Sequence, residues 1–342
     1  MRTRTLLPAL ALVLAACGGS EPTRAVPREE MGPAARAYLD AALDIMQANS
    51  LHRARIEWTG LRARARDTAG TAQTPAETYP AIRSALRDLG DRHSSFAAPP
   101  TSTGGGGTQP PPAPPPAGVS LAGGIAYVYM PAFVTSASTE HANAYHAVLR
   151  DLDAASPCGW VVDVRLNPGG NMWPMLAGIG PVLGEGDVGR FVDPDGATAR
   201  WWYRDGQSGV VQPGGTTSVL ARVSVAPYRL KRPMPPVAVL TGPVTASSGE
   251  AVVTAFRGRP GTRSFGRSTA GLSTGNLAFR LSDGAVINLT VTTFADRTGR
   301  LYGESMAPDE VIPVSNITRD PATDQTLRTA VDWLREQPAC RG

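Results

Sequence analysis

A layered α/β core preceded by a small all-helical module is the fold predicted for this 342-residue chain. Apolar residues recur at helical spacing from Pro27 to about Leu89. After residue 118, apolar runs of strand length alternate with helical patterns. A Pro/Gly-rich tract separates the two regions. With 42% hydrophobic and 18% charged residues, the chain can bury a proper core, and its length allows about two domains. The net charge is only +4 and the arginines are scattered, so nucleic acid is not an expected partner.

Residues 1–17 read as an export signal: Arg2 and Arg4, then the apolar run Leu6 to Leu14, then Leu14-Ala15-Ala16-Cys17. The run is too short to span a bilayer as a stable helix. Small residues before a cysteine resemble the bacterial lipobox, which makes Cys17 the lipidation site and predicts anchoring in the bacterial cell envelope. An ordinary cleaved signal with an incidental cysteine is the alternative. If Cys17 carries lipid, Cys158 and Cys340 remain as the pair available for a disulfide in an oxidising compartment.

Residues 18–27 form a polar tether and residues 28–97 the helical module. Ala35, Tyr38, Leu39, Ala42, Leu43 and Ile45-Met46 give the first helix one apolar face. A second helix is expected over Trp58 to Arg66. A third starts after Thr74-Pro75, carries Tyr79, Ile82, Leu86 and Leu89, and stops at Gly90. Residues 98–118, with the run Gly104 to Gly107 and Pro110 to Pro116 interrupted by one Ala, are a linker that cannot bury a core. The core spans 119–338. Strands are predicted at Gly124–Met130, Gly159–Arg165 and Pro236–Thr241, and helices at 138–155, 171–183, Ser247–Arg257 and Pro321–Glu336. Hairpins are expected over Phe191–Tyr203, turning at Asp193-Pro194-Asp195-Gly196, and over Leu277–Phe294, turning at Ser282-Asp283-Gly284.

Three segments carry chemistry. The strand Pro236–Thr241 runs through a small-residue turn into Ala246-Ser247-Ser248-Gly249-Glu250. A serine there is exposed at a strand end beside the free N–H groups of a helix start, which can stabilise an oxyanion. Either serine can equally be a plain helix cap. The strand Val161–Arg165 ends in Leu166-Asn167-Pro168-Gly169-Gly170, whose glycines leave backbone N–H groups open to a ligand. Leu89-Gly90-Asp91-Arg92-His93-Ser94 places one of the four histidines in a polar turn, whereas His52, His141 and His146 lie in helical stretches.

Together and in this order, the three segments resemble the carboxyl-terminal processing, or tail-specific, serine peptidases and their tricorn-like branch. Asp163 to Gly170 matches the family's Asp-x-Arg-x-Asn-x-Gly-Gly turn. Thr245 to Glu250 matches its Thr-Ala-Ser-x-x-Glu element, which implies Ser247 rather than Ser248 as nucleophile. Gly266 to Gly271 and Pro308-Asp309 to Ile312 match two further elements, and Asp91 to Ser94 is similar to a turn of members without a lysine base. The resemblance implies a crotonase/ClpP-like ββα core. It also implies His93 as general base, Glu304 as its acid partner, and backbone N–H groups of Gly169, Gly170 and Ser248 as oxyanion donors. Asp91 and Asp309 are the alternatives to Glu304.

Two departures matter. Members with a Ser–Lys dyad carry lysine where this chain has Leu272, and Lys231, the chain's only lysine, precedes the nucleophile. The tail-binding PDZ module is missing, with the Pro/Gly tract in its place. Arginine cannot act as a base near neutrality, which leaves histidine. The implied activity is peptide hydrolysis with a peptide or protein substrate and no cofactor. Cys and His spacings fit no metal site, and no phosphate-cradling loop occurs. Two other functions fit the same residues: hydrolysis of a non-peptide ester or amide, and non-catalytic ligand carriage, as in the retinoid-binding repeats of the interphotoreceptor matrix.

Overall fold

The computed structural model describes residues 30–100, 114–313 and 316–341. Cys17 and most of the Pro/Gly tract lie outside the described residues. In chain order the elements are α1 (Pro33–Asn49), α2 (Trp58–Ala69), α3 (Tyr79–Asp88), β1 (Ser95–Ala97), β2 (Ala117–Leu121), β3 (Ile125–Tyr129) and α4 (Ser138–Asp153). They continue with β4 (Gly159–Asp163), α5 (Met172–Leu183), β5 (Gly186–Val192), β6 (Thr198–Arg204), β7 (Gln207–Val211), β8 (Thr217–Arg222), β9 (Val237–Thr241) and α6 (Ser248–Phe256). The last are β10 (Thr262–Gly266), β11 (Thr274–Arg280), β12 (Val286–Ala295), β13 (Glu310–Val311) and α7 (Gln325–Arg335).

Six strands form a sheet in the order β13-β10-β9-β4-β3-β2, parallel except where β2 meets β3. Strands β3, β4 and β9 are buried along their whole length, as a sheet covered on both faces requires. One face, with Val128, Trp160, Val162 and Val239, packs against α5, α6 and side chains of a second sheet. The other face, with Tyr127, Val161, Leu240 and Phe265, packs against Leu327, Val331 and Leu334 of α7. The second sheet is antiparallel, in the order β1-β12-β5-β6-β7-β8, with β11 also paired to β12. The two expected hairpins are therefore parts of one larger sheet, and β7 and β8 extend it beyond what the sequence pattern indicated.

The N-terminal helices do not close a core by themselves. Leu39, Leu43, Met46, Leu61, Ile82 and Leu86 share one apolar cluster with Ile287, Leu289 and Val291 of β12. The hydroxyls of Tyr38 and Tyr79 both donate to Asp283 in the β11–β12 turn, and β1 pairs with β12 at Phe96 opposite Ile287. The expected all-helical module thus ends in a strand and is welded to the core by a shared sheet. Burying a side chain of Leu or Ile size contributes about 1.5–3 kcal/mol, so this cluster holds the module firmly.

At the end of β4, three charges are withdrawn from water. Arg165 donates Nε and Nη2 to Asp163 at 3.0 and 2.7 Å, and Nη1 and Nη2 to Asp324 at 2.9 and 2.7 Å. None of the three is more than 3% exposed. Burial works against the guanidinium charge, but the two carboxylates outweigh it and hold its pKa well above the ordinary value. Asp324 also caps α7 through Leu327 N–H, and Tyr127 donates to Asp163 at 2.7 Å. Cys158, just before β4, is bonded to Cys340 with Cα atoms 5.0 Å apart. That geometry is ordinary for a disulfide and ties the C-terminal turn to the start of the strand.

Removing one member of a buried charge cluster strands the others. Arg165→Met is expected to cost about 3–5 kcal/mol in urea unfolding. Tyr127→Phe, which deletes one hydrogen bond, is expected to cost about 1 kcal/mol.

Candidate functional site

Strands β4 and β9 are parallel neighbours, with Trp160 opposite Val237, so the turns at their C-terminal ends lie side by side. Ligand sites of parallel α/β sheets form at that end. Asn167, fully buried, fastens the first turn to its surroundings. Its Oδ1 accepts from Gly169 N–H at 2.9 Å, its Nδ2 donates to the carbonyls of Met130 and Pro131, and its backbone carbonyl accepts from Ala246 N–H at 3.0 Å. Gly169 has φ +115°, and a Cβ there would stand 2.9 Å from the Ser247 Cβ and 3.2 Å from Ser248 N. Gly170 has the same φ, and its Cβ would strike the Phe133 carbonyl oxygen at 1.9 Å. Only glycine lets these two turns approach so closely.

Ser247 sits at the N-cap of α6 with φ +50° and ψ −116°, a conformation costly for a residue with a Cβ. Ser247 takes the N-cap place of a capping box with Glu250 and also lines the cavity described below. Ser248 is different: its hydroxyl donates to the Gly170 carbonyl and is thereby occupied. The backbone N–H groups of Gly170 and Ser248 make no hydrogen bond within the described residues. The Gly169 N–H, by contrast, is consumed by Asn167. This corrects the expectation that Gly169 offers an oxyanion donor and leaves Gly170 and Ser248.

Beneath Ser247 lies Glu250, fully buried. Its carboxylate accepts from Ser247 N–H at 3.1 Å, Gly271 N–H at 3.0 Å, Leu272 N–H at 2.7 Å and the Thr269 hydroxyl. Burial raises its pKa against the opposing pull of these four donors. Leu272 spends its N–H on this carboxylate. Lys231 donates to the carbonyl of Ala154 at the end of α4 and does not line the Ser247 cavity.

His93 and Ser247, 154 residues apart in sequence, line the same cavity of about 330 Å³. Gly170, Asn171, Met172, Trp173, Phe191 and Phe294 form much of the remaining wall. The two side chains are not hydrogen-bonded to each other; they face one space. Asp91 builds the His93 turn, accepting from His93 N–H, Ser94 N–H, the Ser94 hydroxyl and the Thr290 hydroxyl. His93 Nδ1 is 2.8 Å from Thr274 Oγ1, and Asn276 Nδ2 donates to the His93 carbonyl at 3.0 Å. Burial lowers the pKa of His93, with the Asp91 charge opposing it.

Glu304 does not meet the expectation of pairing with His93. Its carboxylate is exposed and makes no hydrogen bond or ion pair among the described residues, and the position beside Nδ1 belongs to Thr274. Glu304 lines a second cavity together with His93, Thr274, Arg92 and His52, and Ser247 is not part of that wall. Asp309 is engaged elsewhere, with Arg257 and Ser264. The sequence gives no sign of Thr274 or Asn276, and Glu250 stands in it only as the closing residue of the Thr245–Glu250 element. Gly266 to Gly271 matches a family element, but nothing in a lone Thr three residues beyond it, or an Asn five beyond, marks a contact with residue 93.

Residues 124–312 match the family model described as peptidase family S41. The chain belongs to that family. A nisin-resistance protein of Lactococcus lactis subsp. lactis is 25% identical over 307 residues, covering 89% of this chain and 88% of the relative. A lipoprotein structure from Streptococcus agalactiae superposes with a TM-score of 0.68 at 23% identity, covering 89% of this chain and 97% of that one. The photosystem II D1 C-terminal processing protease follows with a TM-score of 0.58 at 15% identity, covering 86% and 97%. These two structures share their fold with the chain.

Glu250→Gln turns an amide NH₂ toward two donors and is expected to cost about 1–3 kcal/mol in chemical denaturation. Ser248→Ala, losing one hydrogen bond, should cost about 1 kcal/mol on the same scale.

Proposed function

We propose that the chain is a serine peptidase of the cell envelope, anchored by lipid on Cys17, which hydrolyses peptide bonds through an acyl-enzyme on Ser247. The observation that carries this reading is the meeting of a strained Ser247, a half-buried imidazole and two unbonded N–H groups around one cavity. Ser247 Oγ attacks the scissile carbonyl while His93 takes its proton. Gly170 and Ser248 N–H hold the oxyanion. His93 returns the proton to the leaving amine, and water, activated by the same imidazole, releases the acyl group.

A Ser–Lys dyad is not part of this mechanism, since Lys231 is remote and position 272 is leucine. The substrate is held by the cavity itself, where among the described residues no carboxylate, lysine or arginine lines the wall. A neutral, partly aromatic surface suits an uncharged side chain next to the cleaved bond. The names of the relatives, one a lipoprotein and one a nisin-resistance protein, favour an envelope location and make nisin a substrate to try beside generic peptides.

A fluorophosphonate should label the parent protein and fail to label Ser247→Ala or His93→Ala, with peptide hydrolysis falling by about four orders of magnitude or more for the serine variant. A parent that never labels would indicate a carrier on the same fold. Because His93 must be neutral to act, and burial lowers its pKa, kcat/KM should be full at neutral pH. It should fall only as pH drops through a value below the usual imidazole pKa, as a pH–rate profile would read.

A further inference from the structure

We infer that Thr274 is the positioning residue of His93: its hydroxyl, not a carboxylate, accepts a hydrogen bond from Nδ1–H and leaves Nε2 free to take the Ser247 proton. This rests on the hydrolase reading above and adds to it the group that completes the site.

The contact is direct, 2.8 Å between Nδ1 and Oγ1, and Thr274 is 7% exposed, so water competes poorly for the bond. The acids near His93 are otherwise placed. Asp91 already accepts from four donors in building the turn, and rotating it toward the ring would break them. Glu304 shares a cavity wall with His93, Thr274, Arg92 and His52, but its carboxylate is exposed and makes no hydrogen bond or ion pair among the described residues. From β12, the neighbour is the neutral Thr290.

Thr274 is also held by the element that fixes the nucleophile. Gly271 and Leu272 N–H hang on the Glu250 carboxylate beneath Ser247, and two residues later Thr274 meets the imidazole. Asn276 then grips the His93 carbonyl. The short segment Gly271–Asn276 therefore measures the separation between base and nucleophile. With the proton on Nδ1, Nε2 carries the lone pair that the serine proton needs. During attack the Oγ proton passes to Nε2, the Nδ1 proton stays in its bond to Thr274, and the imidazolium later gives the Nε2 proton to the leaving amine.

The test pairs kinetics with a tautomer measurement. Thr274→Val keeps the shape and deletes the hydroxyl, and Thr274→Ser restores it. Peptide hydrolysis by T274V should show kcat reduced about tenfold with KM nearly unchanged, and T274S should recover to within about threefold of the parent. Long-range ¹H–¹⁵N correlation of the imidazoles at alkaline pH, with His93 assigned by its loss in H93Q, should show the proton on Nδ1 in the parent and in T274S. In T274V the proton should redistribute toward Nε2. A parent His93 protonated on Nε2, or a T274V protein matching the parent in both tautomer and kcat, overturns the assignment. A parent that neither labels nor hydrolyses overturns the reaction itself, and is told apart because in the former case the parent is active.

Discussion

A buried carboxylate with no cation beside it organises this molecule. Glu250 is removed from water entirely, and leaving it unsatisfied would cost far more than a single packing defect. Its oxygens therefore gather donors from two chain segments, the Ser247 elbow and the 269–272 turn, and neither can drift without stranding charge. The strained backbone at Ser247 persists because these bonds over-determine it. The same constraint propagates outward: once Leu272 is pinned, β11 starts at a fixed point, and the side chains of Thr274 and Asn276 arrive at the His93 turn.

Two other features make that arrangement possible. Direct parallel pairing of β4 with β9 sets the Asn167 turn against the Ser247 turn, and two glycines with positive φ allow contact closer than any Cβ permits. The second sheet has a structural role toward both parts of the molecule. One side of β12 offers Ile287, Leu289 and Val291 to the N-terminal helices, and Phe294 of the same strand joins the core cluster and the Ser247 cavity. A single strand thus transmits the position of the helices to the site.

The elements with strong periodicity were legible from sequence: the three N-terminal helices, the buried strands β3, β4 and β9, and helices α4 to α7 fall close to their expected places. Their apolar patterns are local properties of the chain. What stayed hidden depends on pairing between distant segments. β1 is three residues long and is a strand only because β12 lies beside it. The extension of the second sheet through β7 and β8 falls where the sequence carried no strong alternation. At the site, Ser247 and His93 stood out because their turns resemble known motifs. The Gly169 N–H goes to the Asn167 side chain two residues earlier, and the hydroxyl of Thr274, 181 positions beyond His93, lies beside Nδ1; neither contact is written in a local pattern.

The imidazole and the serine share one cavity because the helices dock on β12, and the two groups belong to regions on either side of the Pro/Gly tract. Under the hydrolase reading, a core that has folded without its helical partner holds a nucleophile and no base. Such a half-assembled chain is chemically silent, so unfinished copies cannot attack their neighbours. Competence arises in the same event that completes the tertiary structure, and the fold acts as its own safety catch.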